Sequence, residues 1–389
     1  MIGGTTHSEI DFESQIDRAQ TGSLKWDKYK GKDIIPFWVA DMDLPSPQPV
    51  LDALHRRVDH RVFGYTLAPE SATEAVTEYL ANTHSFEVDP EWIVWTPGLV
   101  PALALACRAY GVKGDAVMTL TPVYYPFLTV PGFADQELQS VPLVEDSVNR
   151  TWEIDFDEME RKVTNRTRLL IISNPHNPVG KVFSREEVEK LGQFAVKHDL
   201  ILCSDEIHCD LILNDKAHIC AGTLSQEIVD RTIIMMSPSK TYNLAGLACA
   251  YLVIPNAKVR HQFQKVVRGI ITEVNCMGYT ACEAAYRHGE PWRVELIKHL
   301  NENLQLIYET VNDKWAGAKI YPMDATYLAW IDMRHLGLKN PASKFEKFGI
   351  GLSEGSQFGG EGFVRLNFGC PGSVMDEGLN RMSKALAEF

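Results

Sequence analysis

The chain has 389 residues with 38 Lys and Arg against 51 Asp and Glu, a formal charge of −13. Hydrophobic residues make up 45% and charged residues 23%, the balance of a globular protein long enough to bury a large core without disulfide or metal staples. The acidic balance argues against a nucleic-acid-backbone binder and against docking on an anionic membrane. No run approaches the roughly 18 apolar residues of a spanning helix. The segment MIGGTTHSEIDFESQ lacks the basic and apolar regions of a secretory signal, so a cytoplasmic protein is expected. The eight cysteines form no C-x-x-C pair and are read as reduced core thiols.

The first fifty residues carry many turn formers and are expected to pack as an arm around the C-terminal part. Within them PFWVADMDLPSPQP is too rich in Pro and Asp for a helix and reads as a connecting segment. From there short apolar runs alternate with amphipathic stretches. The runs at 92–95, 116–120, 137–141, 169–173, 200–204, 232–237 and 248–254 read as buried strands. Helical patterns fall at 100–110, 155–162, 184–198 and 224–230, the third opening with a Ser184-Arg-Glu-Glu187 capping box. LLIIS and TIIMMS do not alternate in polarity, as expected of strands buried on both faces. The expected fold is α/β, with a mostly parallel central sheet flanked by helices. After about residue 285 a long helix from 292 to about 315 precedes KIYPM, TYLAWIDM and FVRLNF, a smaller α+β unit. The domain reading is therefore an arm at 1–50, a large domain at 51–288 and a small domain at 289–389.

In parallel sheets ligands bind beyond the carboxyl ends of the strands. Gly98 opens a helix and is either an anion cradle or a plain turn. Tyr124 is a stacking ring or a core aromatic, and Asn177 lies in NPHNPVG, itself a good turn sequence. Asp205 ends an apolar strand, where a carboxylate needs a partner. Lys240 directly follows another, where desolvation lowers an ammonium pKa and suits it to Schiff-base chemistry. A lysine, an aspartate, an asparagine and glycine and serine donors together describe a pyridoxal phosphate site.

The chain resembles fold-type I pyridoxal-phosphate enzymes of the class I/II aminotransferase superfamily, and within them the cystathionine β-lyase and cysteine-S-conjugate β-lyase subgroup. WVADMDLPSP (38–47), VFGYT (62–66), TPVYYPF (121–127), SNPHNPVGK (173–181), SDEIHCDL (204–211), SPSKTYNLAGL (237–247) and EGFVRLNFGCP (361–371) carry the likeness. It implies that Lys240 binds the cofactor aldehyde and serves as base, Asp205 pairs with the ring nitrogen, and Asn177 meets the ring hydroxyl with His208 near it. Tyr124 would stack on the ring. The N–H groups of Gly98, Leu99 and Val100 would meet the phosphate together with Ser237 and Ser239. Tyr65 would reach the phosphate of a partner subunit in a homodimer. Arg365 would clamp the substrate carboxylate, with Trp38 and Asn177 beside the substrate. One departure is that no arginine follows Lys240 between 241 and 255, where aspartate-aminotransferase-like members carry one.

The implied activity is α,β-elimination of L-cystathionine or a related S-conjugate. An aminotransferase is the alternative. Ser237-Pro-Ser-Lys240 also matches S-x-x-K of serine acyl-enzymes, although neither S-D-N nor K-T-G occurs. A non-catalytic partner of a regulator is a third reading, since fold does not settle function.

Overall fold

In a computed structural model, residues 10–388 are described. All seven expected runs are strands of one sheet: β1 (Ile93–Thr96), β2 (Ala116–Thr121), β3 (Glu137–Pro142), β4 (Thr167–Ser173), β5 (Ile201–Asp205), β6 (Thr232–Met236) and β7 (Ala250–Val253). Their order is β1-β7-β6-β5-β4-β2-β3. Pairing is parallel except around β7, which runs antiparallel to both neighbours.

Side chains along β4 show why the pattern lacks polarity alternation. Leu169 and Ile171 pack with the helix Leu99–Tyr110 on one face. Leu170 and Ile172 pack on the other face with Leu191 of the helix Arg185–Lys197 and Cys282 of the helix Cys276–His288. Both faces are dry, so both sets are apolar. The capping box forms as expected, with Ser184 accepting from the Glu187 N–H and Glu187 accepting from the Ser184 N–H.

A second sheet comprises β8 (Lys319–Ile320), β9 (Leu328–Asp332), β10 (Ser353–Glu354) and β11 (Phe363–Asn367), in the order β8-β9-β11-β10. The long helix runs Glu290–Lys314, and Gly372–Leu386 forms another. Phe12, Phe37, Met42 and Val50 share one core with these helices and this sheet. The early segment thus packs against the late one.

Three differences have local causes. The connecting segment ends in a helix, Gln48–Asp59, because Pro49 sits in the first turn, where its missing N–H costs nothing. The stretch 224–230 forms only the four-residue helix Gln226–Val229. Helices Glu70–His84 and Cys276–His288 lie where periodic contrast is weak, since small residues such as Ala72, Ala75, Ala281 and Ala285 form much of their buried faces.

The segment 37–44 is clamped as a strap beside β11. Asn367 donates to the carbonyls of Val39 and Asp41 at 2.6 and 2.7 Å. Asn243 donates to those of Met42 and Leu44 at 3.0 and 2.9 Å. Lys25, fully buried, holds Asp43 at 2.7 Å and donates to the Asp41 carbonyl at 3.1 Å. Arg18 also pairs with the carboxylates of Asp41 and Asp43, so both acidic residues of VADMD are ion-paired to the N-terminal segment. Lys25→Met removes one partner of a buried pair and is expected to lower unfolding stability by about 3 kcal/mol, read as a reduced denaturant midpoint.

Candidate active site

The loops after β1, β2, β4, β5 and β6 converge on one cavity of about 190 Å³. Gly98, Leu99, Val100, Tyr124, Asn177, Asp205, His208, Ser237, Ser239 and Lys240 all line it, so ten of the residues singled out in the sequence meet there. Ser173, Ile207 and Ala40 line it too and were not anticipated. Lys240 and Ala40 also border a larger, open cavity of about 700 Å³ formed by the strap and residues 16–24.

Each placement follows from local structure. Asp205 is the last residue of β5 and is buried, its Oδ1 accepting from the Ile207 N–H at 3.2 Å. Burial pushes its carboxyl up to about 7, opposed by that hydrogen bond and by Lys240. Lys240 leaves the end of β6 and donates to the Ala40 carbonyl at 2.6 Å. Desolvation brings its amine down to about 8, Arg365 adding to the effect and Asp41 and Asp205 opposing it. His208 is buried with Nδ1 unpartnered, and burial, then Lys240 and Arg365, press its pKa down to about 3. It is neutral at pH 7. Burial raises the Tyr124 phenol above its ordinary range.

Gly98 precedes the helix Leu99–Tyr110, whose first turn has no side-chain cap. Its leading N–H groups therefore face the cavity available to an anion, and the helix dipole favours one. The Ser237 hydroxyl donates to the Cys249 carbonyl at 2.7 Å and lies 2.6 Å from the Ser239 hydroxyl. Ser237 and Lys240 thus point to different carbonyls and form no acyl-enzyme dyad.

Arg365 comes from β11, not from the large sheet, and is buried. It donates to Asn177 Oδ1 at 3.1 Å and to the Trp38 carbonyl at 2.9 Å, and its Nε is unpartnered. Phe358 lies against the guanidinium at 4.4 Å. Desolvation lowers its pKa to about 10. Among the described residues it has no carboxylate partner within 4.0 Å.

Three expected residues do not line the cavity, and of these buried Arg365 meets it through Asn177. Trp38 does not line the cavity. Its indole N–H donates to the Lys25 carbonyl at 3.1 Å, and only its own carbonyl reaches the site, through Arg365. Tyr65 is fully exposed in an irregular stretch, apart from the other site residues.

Such a cavity asks for a molecule with an anionic group for the helix start, a protonated nitrogen for Asp205 and a carbonyl for an unprotonated lysine amine. Pyridoxal 5′-phosphate has all three, and the desolvated Asp205 and Lys240, with the unpartnered His208 Nδ1 and Arg365 Nε, show that the residues fit it. The protein is a pyridoxal-phosphate enzyme. Residues 32–382 match the aminotransferase class I and II family, and the chain belongs to it. Cystathionine beta-lyase PatB of Bacillus subtilis is 36% identical over 389 aligned residues, covering 97% of this chain and 100% of that protein. The crystal structure of OvoB matches with a TM-score of 0.94 and 39% identity, over 97% of this chain and 100% of that one. The PLP-bound C–S lyase from Staphylococcus hominis matches with a TM-score of 0.90 and 32% identity, over 98% of this chain and 100% of that one.

A titration test follows from Asp205. The folded protein keeps this proton from pH 3.8 up to about 7, where an unfolded chain has released it. The group's contribution to stability therefore falls as pH rises through that window. In cofactor-free protein, Asp205→Asn is expected to gain stability relative to wild type between those pH values, measured by thermal unfolding. An unchanged difference would mean that the carboxyl is not desolvated.

Proposed function

We propose that the protein is a pyridoxal-phosphate-dependent carbon–sulfur β-lyase, cleaving L-cystathionine or a related cysteine S-conjugate to thiol, pyruvate and ammonia. The observation that carries this reading is that Lys240 and Asp205 line one cavity and are desolvated there with no direct counter-ion among the described residues, while buried Arg365 meets that cavity through Asn177. The names of PatB and of the S. hominis enzyme favour elimination over amino transfer.

When bound, the cofactor supplies an electrophilic carbonyl and a ring that accepts negative charge from the substrate Cα. Lys240 Nζ would hold that carbonyl and would take the substrate Cα proton. An amine near 8 is partly unprotonated at neutral pH, as a general base requires. The Asp205 carboxylate would keep a proton on the ring nitrogen. Asn177, already held by Arg365, would meet the ring hydroxyl, with neutral His208 near it. Tyr124 would stack on the ring. The N–H groups of Gly98, Leu99 and Val100 would hold the phosphate with the Ser237 and Ser239 hydroxyls. Arg365 takes the substrate α-carboxylate, for which its fork is suited. The proton gathered by Lys240 passes to the thiolate leaving Cβ, and hydrolysis releases pyruvate and ammonia.

We place the cofactor-binding domain at 51–288, the arm at 1–50 and the small domain, which contributes Arg365, at 289–389. We further propose a cytoplasmic homodimer in which Tyr65 completes the neighbouring site. Val62, Phe63, Tyr65 and Leu67 expose an apolar stretch suited to burial against a second copy.

Lys240→Ala is expected to abolish pyruvate release from L-cystathionine, and elimination at a near-normal rate would refute the base assignment. Arg365→Ala is expected to lower kcat/KM by about 10²- to 10³-fold with cofactor retained, the size of losing one member of a buried charge pair. Transfer of the amino group to a keto acid, with no thiol released, would identify an aminotransferase instead. Co-expressed Tyr65→Ala and Lys240→Ala chains should regain activity through mixed dimers if sites are shared, and should stay inactive if they are not.

A further inference from the structure

Tyr327 stands directly before β9 and is buried, and its hydroxyl donates to the Ala40 carbonyl at 3.1 Å. Lys240 Nζ, from the loop after β6, donates to the same oxygen at 2.6 Å. One main-chain carbonyl of the strap therefore carries two donors, one from each sheet. A carbonyl oxygen offers two lone pairs, so these donors fill it. Ala40 and Lys240 line the cofactor cavity and Tyr327 does not. The phenol thus takes the side of the oxygen away from the cavity, and the amine is left with the side that faces it.

The backbone is bent to deliver that hydroxyl. Thr326 is buried with a φ of +75°, in the left-handed region that a β-branched residue rarely adopts. Its N–H donates to the Leu211 carbonyl at 2.9 Å, and its hydroxyl accepts from the Leu328 N–H at 3.2 Å. The Phe368 N–H donates to the Tyr327 carbonyl at 2.9 Å. Strain of this kind persists where surrounding contacts over-determine it, and it gathers at functional sites. A ring needed only to fill the core would not require such a turn.

The phenol also remains a donor. Burial and then the Asp41 carboxylate raise its pKa above the ordinary range, so it keeps its proton at neutral and mildly alkaline pH. Asp41, Arg365 and Asp205 act on the Lys240 amine from the strap, β11 and β5, and neutral His208 faces it from the turn after β5. None of the three charged groups binds the amine directly, and Asp41 Oδ1 is buried and unpartnered. Among the described residues the amine's hydrogen-bond partner is the Ala40 carbonyl, so what holds that oxygen holds the amine.

We propose that Tyr327 is a positioning residue for the Lys240 amine, acting through the Ala40 carbonyl. By filling one lone pair it leaves the amine a single direction of approach. Its hydroxyl hydrogen is a partial positive charge beside the amine, which disfavours the protonated form. Without the hydroxyl the amine takes either side of the oxygen, is aimed at the substrate less often and is held more firmly as an ammonium. The inference rests on Lys240 being the base at Cα.

The test is Tyr327→Phe, which keeps the ring and removes the donor. In holoenzyme acting on L-cystathionine, kcat is expected to fall at least about tenfold with KM little changed, part of the roughly 10²- to 10⁴-fold that a placed base supplies. The acid limb of kcat against pH should move up by about 0.5–1 unit, the size of one neutral hydrogen bond. The same upward shift is expected in cofactor-free protein trace-labelled with acetic anhydride, read as the pH dependence of acetylation in the Lys240 peptide. Lys240 borders the open cavity of about 700 Å³, which admits so small a reagent. A ring that only fills the core would alter the unfolding midpoint and leave both pH midpoints in place. Tyr327→Met also lacks a donor and should give the same shifts, and it serves alone if the phenylalanine variant does not fold. Coincident labelling curves for wild type and variant, or a downward shift, would overturn the proposal. An upward labelling shift in a protein that releases no pyruvate from any S-conjugate would support the positioning and refute the lyase reading.

Discussion

The structure is organised around charge that is buried without being paired. Lys240, Asp205 and Arg365 are each desolvated, and each departs from its ordinary pKa in the direction that favours its neutral form. Isolated buried charges are costly, and proteins keep them where a ligand completes them. The sheet delivers the first two from the ends of adjacent strands β5 and β6. The second sheet delivers the third. A zwitterionic substrate and an anionic cofactor with a basic nitrogen would supply the missing counterparts, in keeping with the proposed roles of these groups.

The strap at 37–44 joins these contributions. Its Ala40 carbonyl accepts from Lys240 and, at 3.1 Å, from the Tyr327 hydroxyl, while its Trp38 carbonyl holds Arg365. Asn243 and Asn367 grip it from the two sides. Lys240, Arg365 and the N-terminal segment are therefore linked by main-chain carbonyls of one short stretch. A shift of that stretch would be felt by both ends of a bound amino acid.

Much of this architecture was legible in the sequence, and the exceptions share physical causes. The seven strands stood out because burial on both faces demands unbroken apolar runs such as LLIIS. The helix Leu99–Tyr110 was read to within a residue for the same reason. Helices faced with alanine, such as Cys276–His288, give little contrast between inside and outside. Asp205 and Lys240 were conspicuous because an ionisable group at the end of an apolar strand needs a reason to be there. Ala40 could not be found this way, because it acts through a carbonyl that every residue possesses. Trp38 shows the same point from the other side: its side chain draws attention, while its backbone carbonyl is what reaches Arg365. The bond between Tyr327 and the Ala40 carbonyl joins positions 287 residues apart and becomes visible only when the strap packs beside the second sheet.

On the proposed function, Lys240 carries the cofactor. Borohydride reduction of the purified protein, followed by digestion and mapping of the labelled peptide, tests it most directly. A visible absorption band that disappears on reduction, with the label fixed on Lys240, is the expected result. A label on any other lysine, or a protein with no reducible band, would contradict it.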